Sequence, residues 1–488
     1  MLSYTLEKKP GCTLQESLYR RIRNDIESGA IAPGQLLPSK REFSRALGVS
    51  IATIEGAYLQ LAAEGYIVSR PRRGFFACSL PANAKAIADL RGRPKAPECA
   101  GAASSGAPSA GLPVRLDLTG ATRTRRFFPA KEWGRLLRDV LADGQEHPAG
   151  RLPACGSESL RGAIARHIRL SRGIEAAPEQ IVIGAGAQQL YQMCALMFGD
   201  SAFAVEDPGY PSIAQTYASL GRPIVRVPVD DAGMSMKDLR LAGAAIAHVS
   251  PSHHFPTGAV MPAARRFELL AWAYERPGRY IVEDDYDCEF RLAGKPIPAL
   301  SGVDVEGRAI YMNTFTKSMT GALRLAYMVL PRTLLPRFED ACGHLTCAAS
   351  PIEQEAMARF IDAGGFDKQV NRTCKRYRDC RGILAEGIGD ACKGAAARIS
   401  RDAAGTFFLI EFAERIDEAS FLEGLAQKGV AAAFVPSGYG RGGAPEPPQS
   451  SKLVIDYSAL IPEEAAEAAT ILAEAIGESR MQRRRPRS

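Results

Sequence analysis

VEDDYD, residues 282–287, and TFTKSMTGALR, residues 314–324, decide how this chain reads. Each segment follows an apolar run. RYIVED (279–284) ends on Asp284, and AIYMNT (309–314) leads into a Ser/Thr-rich turn that carries Lys317, with Arg324 seven residues later. An aldehyde cofactor held as a Schiff base needs a lysine, an anion at its pyridine nitrogen, and cationic and backbone donors for its phosphate. The two segments supply the lysine, the carboxylate and the cation.

Working outward, strand-like and helix-like segments alternate. QIVIGAG, FAVEDPGY, AIAHVSP, RYIVEDDY, AIYMNTFTK and LAYMVLP are short apolar runs separated by helical stretches, which predicts an α/β fold with a mostly parallel sheet wrapped by helices. From about Phe366 a long helix around 375–387 and the strands GTFFLIEF and KLVIDY predict a smaller α+β subdomain. VIGAGAQQLYQM (182–193) reads as strand, glycine turn and helix, so the N–H groups near Ala187 and Gln188 suit a phosphate. Thr314 adds a hydroxyl. EDPGYPS (206–212) offers Tyr210 either as an aromatic beside the ring or as a core tyrosine with its hydroxyl satisfied. His253 and His254, in SHHFPTG (252–258), read as structural.

The order and spacing of these segments resemble the fold-type I aminotransferase family. The resemblance implies pyridoxal 5′-phosphate as an internal aldimine on Lys317, with Arg324 on the phosphate. It also implies Asp284 on the pyridine nitrogen and Tyr286 on the phenolic oxygen. SHHFPTG corresponds to a segment that in many aminotransferases reads Asn-Pro-Thr-Gly.

At the other end of the chain, Leu14, Leu18, Ile22 and Ile26 recur every four residues and predict a helix that stops at Gly29. Ser39, with Glu42 three residues on, caps a second helix that ends at Gly48. Ser50 caps a third, which buries Ile54, Tyr58 and Leu61. Tyr66–Ser69 and Arg70–Phe76 then form a two-stranded wing. LPSKREFSRALGVSIATIEGAYLQLAAEGYIVSR (37–70) resembles the winged helix-turn-helix of GntR-type regulators. That implies double-stranded DNA as a partner, read by Ser39, Arg41, Ser50 and Thr53, with Arg70, Arg72 and Arg73 of the wing on phosphates or in the minor groove.

The 488 residues exceed one ordinary core. The expected domains are a winged helix-turn-helix over 12–78, a linker rich in Ala, Gly, Pro and Ser over 79–113, an aminotransferase-like effector domain over 114–480 and a basic tail over 481–488. The net charge of +7 is unevenly placed, since five arginines fall in the last nine residues, read either as a solvated end or as a DNA-contacting arm. Eleven scattered cysteines without CxxC spacing predict reduced thiols and no metal site. No signal peptide or membrane-spanning run is visible, and the expectation is a cytoplasmic protein.

Fused in this order, the two parts resemble the MocR subfamily of bacterial regulators, whose versions of the aminotransferase motifs look like EDPGYP, SHHFPTG, VEDDYDCEFR, PIPAL and TFTKSMTGALRLAY. The resemblance implies a homodimer, commonly swapped head to tail, that senses a small metabolite through the cofactor and adjusts transcription. Five positions depart from that pattern. Ile51-Ala52 stand where an arginine and a polar residue are usual, Arg72 replaces a glycine, and Arg151 falls where a tyrosine reaches the neighbouring subunit's phosphate. Val454, in KLVIDYS, takes the place of an arginine that grips a substrate carboxylate, which points to a small amine or amino compound as effector, with Lys452 and Arg151 as the residues that could compensate. The alternative, a working aminotransferase with an accessory DNA-binding domain, needs the carboxylate clamp that Val454 does not supply.

Overall fold

The computed structural model describes residues 13–71, 73–79, 114–120, 126–143, 152–290, 298–394, 397–400, 405–436 and 450–483. Arg72, Arg151, all but the first residue of the expected linker and residues 484–488 of the basic tail lie outside the described residues. The chain forms two compact units, divided between residues 110 and 111.

The first unit is three helices and a hairpin: α1 (Leu14–Ser28), α2 (Lys40–Leu47), α3 (Ile51–Ala63), β1 (Ile67–Arg70) and β2 (Gly74–Ala77). Each helix begins on a hydroxyl cap, as Thr13, Ser39 and Ser50 accept the backbone N–H of Glu16, Glu42 and Thr53. Gly29 and Gly48 end α1 and α2 in the left-handed conformation (φ 83° and 65°), which a glycine reaches without steric cost. The core is one cluster of Leu18, Ile22, Phe43, Ile54, Tyr58 and Leu61, all nearly inaccessible to solvent. The buried Tyr58 hydroxyl donates to the Pro38 carbonyl at 2.9 Å, tying α3 to the turn before α2. β1 and β2 pair antiparallel from Ile67 opposite Ala77 to Arg70 opposite Gly74, making the wing.

In the second unit the chain runs β3 (Leu116–Asp117), α4 (Ala130–Ala142), α5 (Glu158–Arg172), β4 (Ile181–Gly184), α6 (Ala187–Phe198), β5 (Phe203–Asp207), α7 (Pro211–Ser219), β6 (Ile224–Asp230), β7 (Gly233–Met234), β8 (Ile246–Val249), α8 (Ala263–Tyr274), β9 (Tyr280–Asp284), β10 (Ala309–Thr314) and β11 (Ala326–Val329). The eight-stranded sheet has the order β4-β11-β10-β9-β8-β5-β6-β7. β6, β5, β8, β9 and β10 pair parallel, whereas β11 is antiparallel to both β10 and β4, and β7 is antiparallel to β6. Strands β4, β5, β8, β9, β10 and β11 are buried along their whole length, which is why they read as unbroken apolar runs. β6 has no such run and contains Pro228, a residue tolerated near a sheet's edge, so the sequence pattern did not reveal it.

Apart from short helical segments such as Met236–Leu241, Leu300–Val303 and Leu335–Cys342, the remaining elements are α9 (Pro351–Asp362), α10 (Gly365–Gly394), β12 (Ala397–Ser400), β13 (Phe407–Phe412), α11 (Glu418–Gln427), β14 (Val430–Ala431), β15 (Ala433–Phe434), β16 (Lys452–Asp456) and α12 (Pro462–Arg483). β12-β13-β16-β15 form an antiparallel sheet, and its core joins Phe408, Ile410, Leu453 and Ile455 to Leu384, Ile388 and Leu472 from α10 and α12. β3 pairs parallel with β14, so the start of this unit is stitched to its C-terminal layer. The expected tail from 481 begins differently, because α12 continues to Arg483. Among the described residues no helix is long and apolar enough to cross a membrane, and no group of side chains could hold a metal ion.

Ile22 is fully buried in the small core of the first unit. Ile22→Ala should therefore cost that unit about 2–5 kcal/mol. Hydrogen exchange is expected to accelerate in α1–α3 and to stay unchanged in β8–β10; equal acceleration in both would show that the units do not have separate cores.

Candidate functional site

Parallel pairing carries the C-terminal ends of β5, β8, β9 and β10 to one edge of the sheet, and two antiparallel pairings through β11 bring the C-terminal end of β4 to the same edge, where open α/β sheets bind ligands. The segments that leave those ends line one cavity of about 560 Å³. Ala187 and Gln188 follow β4, Tyr210 follows β5, Ser250 and Phe255 follow β8, Asp284 and Tyr286 end β9, and Thr314, Thr316 and Lys317 end β10. Arg324 enters from the turn before β11, and Thr406, Phe407 and Asp456 enter from the C-terminal sheet.

One end of the cavity is built for an anion. The Arg324 guanidinium donates to the Ala185 carbonyl at 3.2 Å and lies over Gly186, where an added Cβ would fall 2.3 Å from its Nη2. Gly186 has φ 94° and opens α6, whose first residues, Ala187 and Gln188, line the cavity and carry N–H groups with no acceptor inside the helix. Arg324 is itself the one non-glycine residue with positive φ (51°) among the described residues, a conformation that costs energy and recurs at ligand sites. The Thr314 and Thr316 hydroxyls lie 2.8 Å apart beside it.

Lys317 lines the same cavity. Its Nζ is 3.2 Å from Asp456 Oδ2 and 3.4 Å from Ser458 Oγ. Phe315, buried two residues before it, fixes the turn through its N–H to the Leu325 carbonyl at 3.1 Å. Asp284 is buried. Its Oδ2 accepts from the Tyr191 hydroxyl and lies 3.7 Å from His248 Nε2, while His248 Nδ1 pairs with the Tyr217 hydroxyl at 2.9 Å. Burial and the Asp284 charge hold the Tyr191 phenol well above its ordinary range, so it stays a proton donor to that carboxylate. The Tyr286 phenol is also pushed well above its ordinary value, by burial and the nearby Asp287, and so remains a donor. Tyr210 is 43% exposed and meets Phe255 edge to face, so it is not the core tyrosine that the sequence left open.

A layer of buried polar groups supports the cavity wall. His253 Nδ1 is 2.7 Å from Asp287 Oδ2 and its ring packs on Phe407 at 4.4 Å between centroids. His254 Nε2 lies 3.4 Å from Glu206 Oε2. Burial raises Glu206 to about 8 and depresses His254 to about 3, so near neutrality this contact is an uncharged pair of support groups. Tyr191, His248, Thr406, Phe407 and Asp456 were not singled out from the sequence. Each reaches the cavity or Asp284 from a distant stretch of chain, and no local spacing marks them. A phosphate cradle, a lysine, a carboxylate and a phenol around one cavity fit a phosphorylated pyridine aldehyde by charge and donor type.

In the first unit the described residues of the expected DNA-facing set, Ser39, Arg41, Ser50, Arg70 and Arg73, are exposed, and Thr53 is half-buried at the start of α3. Ser39 and Ser50 use their hydroxyls to cap α2 and α3, and the Ser50 and Thr53 hydroxyls are 2.8 Å apart. Arg41 and Arg73 are exposed, and the Arg70 guanidinium packs over the Phe76 ring at 4.8 Å. Lys40 is held by Glu55 at 2.6 Å.

Residues 14–77 match the family described as bacterial regulatory proteins, gntR family, and residues 124–438 match aminotransferase class I and II. The chain is 34% identical to the uncharacterized HTH-type transcriptional regulator YdeL of Bacillus subtilis, over 86% of this chain and 88% of that protein. It is 32% identical to the probable rhizopine catabolism regulatory protein MocR of Rhizobium meliloti, over 81% and 84%. The kynurenine aminotransferase of Pyrococcus horikoshii superposes with a TM-score of 0.65 at 22% identity, covering 74% of this chain and 91% of that one, a likeness of fold.

The close approach at Gly186 gives a test of the anion end. Gly186→Ala places a methyl against the Arg324 guanidinium at a positive φ, so affinity for pyridoxal 5′-phosphate should fall by at least about tenfold. Equal affinity in a titration followed by absorbance would show that Arg324 does not hold the phosphate.

Proposed function

Because the chain belongs to the MocR-type regulators, in which a GntR-type helix-turn-helix and an aminotransferase class I and II domain share one polypeptide, we propose that it is a DNA-binding regulator that holds pyridoxal 5′-phosphate on Lys317 and senses a small amine through it. The observation that carries the reading is the convergence of Lys317, Asp284 and Arg324 on one cavity in a chain that also bears a helix-turn-helix. When bound, the cofactor supplies an aldehyde carbon that combines reversibly with primary amines.

The residues divide the work by charge. Arg324, the Thr314 and Thr316 hydroxyls and the N–H groups at Ala187 and Gln188 bind the phosphate. Asp284 keeps a proton on the pyridine nitrogen, with Tyr191 and His248 orienting it. Tyr286 donates to the phenolic oxygen, and Tyr210 covers the ring. Operator binding runs through Ser39, Arg41, Ser50, Thr53 and the wing arginines Arg70, Arg72 and Arg73. A cytoplasmic homodimer, swapped head to tail, that reads two half-sites completes the reading.

The amine preference rests on Val454 and Asp456. Val454 packs with Phe407 and Leu409, next to Phe255, and Phe255 and Phe407 also line the cavity. Asp456, two residues along the same strand face, places a carboxylate on the same side. An incoming ammonium meets a counter-charge there, whereas a carboxylate meets apolar groups and a like charge. The aminotransferase alternative would require steady turnover of an amino acid with a keto acid, which the same purified protein can be assayed for.

Two outcomes test the proposal. Borohydride reduction should fix the cofactor on the peptide containing Lys317, and Lys317→Ala should lose the visible band; a labelled peptide without Lys317 would overturn the assignment. Val454→Arg should improve the spectral response to ordinary α-amino acids by roughly tenfold, the value of a charge-assisted fork, and leave simple amines nearly unchanged. Tight, saturable binding of an α-amino acid by the parent protein would show that another residue clamps carboxylates.

A further inference from the structure

We infer that Ile51 and Ala52, the first two residues of α3, form an apolar surface that reads the C5-methyl group of thymine in the operator's major groove. The inference rests on the DNA-binding reading above and adds the base that this chain prefers.

α3 packs Ile54, Ala57, Tyr58 and Leu61 into the core of its unit. Ile51 is 47% exposed and Ala52 is exposed beside it, and neither belongs to the unit's apolar cluster. The polar side chains around them are engaged. The Ser50 hydroxyl caps the helix and lies 2.8 Å from the Thr53 hydroxyl, and Glu55 is held by Lys40. The first turn of α3 thus presents carbon at the end of a recognition helix that helix-turn-helix proteins direct to base edges. Exposed Arg41 and Arg45 on α2 and Arg70 and Arg73 on the wing flank it with positive charge, which suits phosphates on either side of a groove. Among the four bases only thymine shows an apolar group in the major groove. Arginine or lysine at this position would read guanine instead.

The test uses the full-length protein and a duplex selected from a random library, recopied with deoxyuridine in place of thymidine at single positions, which removes only the methyl group. Selected half-sites should share an A·T pair whose uracil substitution weakens binding roughly threefold, the scale of one buried methyl. Ile51→Ala should bind the thymine and uracil duplexes equally. Since Ile51 lies outside the core, the variant should melt with the parent. Ile51→Arg should shift the selected base to guanine. A parent protein that binds both duplexes alike, or an Ile51→Ala variant that still distinguishes them, overturns the inference. Failure to enrich any duplex overturns the DNA-binding reading itself, and the inference with it.

Discussion

The register between β9 and β10 is the constraint on which the cavity depends. The strands pair parallel with Met312 opposite Asp284, and the Asp285 N–H continues the ladder to the Met312 carbonyl. Asp284 and the turn that carries Lys317 therefore emerge side by side, although 33 residues separate them in the chain. A slip of one residue would turn Asp284 away from the cavity and its neighbours into it, because successive side chains point to opposite faces. Burial of both strands on both faces makes such a slip costly.

The acidic cluster at the end of β9 shows how that register sorts like charges. Glu283 accepts the N–H groups of Leu300 and Ser301, and burial together with the nearby Asp285 raises it above the usual carboxylate range. Asp285 is paired with Arg172 at 2.6 Å, and Asp287 with His253. Asp284 is the carboxylate of the four that faces the cavity. Removing one partner of a buried pair of this kind costs about 3–5 kcal/mol, since the other charge is left without compensation. The supports of the site are thus also part of what holds this edge of the sheet.

The two units handle polar groups differently. In the aminotransferase-like unit, buried pairs such as Asp285 with Arg172, Asp287 with His253 and Asp284 with Tyr191 lie around the cavity. In the helix-turn-helix, the caps, the Lys40–Glu55 pair and the Arg70–Phe76 contact leave the remaining arginines and the apolar start of α3 at the surface. A walled cavity suits recognition of one small molecule, and a charged surface suits a long polyanion.

Much of this was legible in the sequence. Buried parallel strands leave unbroken apolar runs, capped helices leave Ser and Gly punctuation, and a lysine turn seven residues from an arginine is a local pattern. These are properties of neighbouring residues, so the order of elements, the lysine, the carboxylate and the arginine could be picked out without coordinates. The strand β6, next to the edge of the sheet, the extension of α12 to Arg483 and the pairing of β3 with β14 could not. Nor could the contacts that shape the cavity: Asp456 meets Lys317 across 139 residues and Tyr191 meets Asp284 across 93. The sequence by itself determined which chemical groups are present and on which kind of element each lies. Only the tertiary structure decided which of them touch, because strand register and the packing of the C-terminal sheet against the cavity set those distances, and no local spacing encodes either.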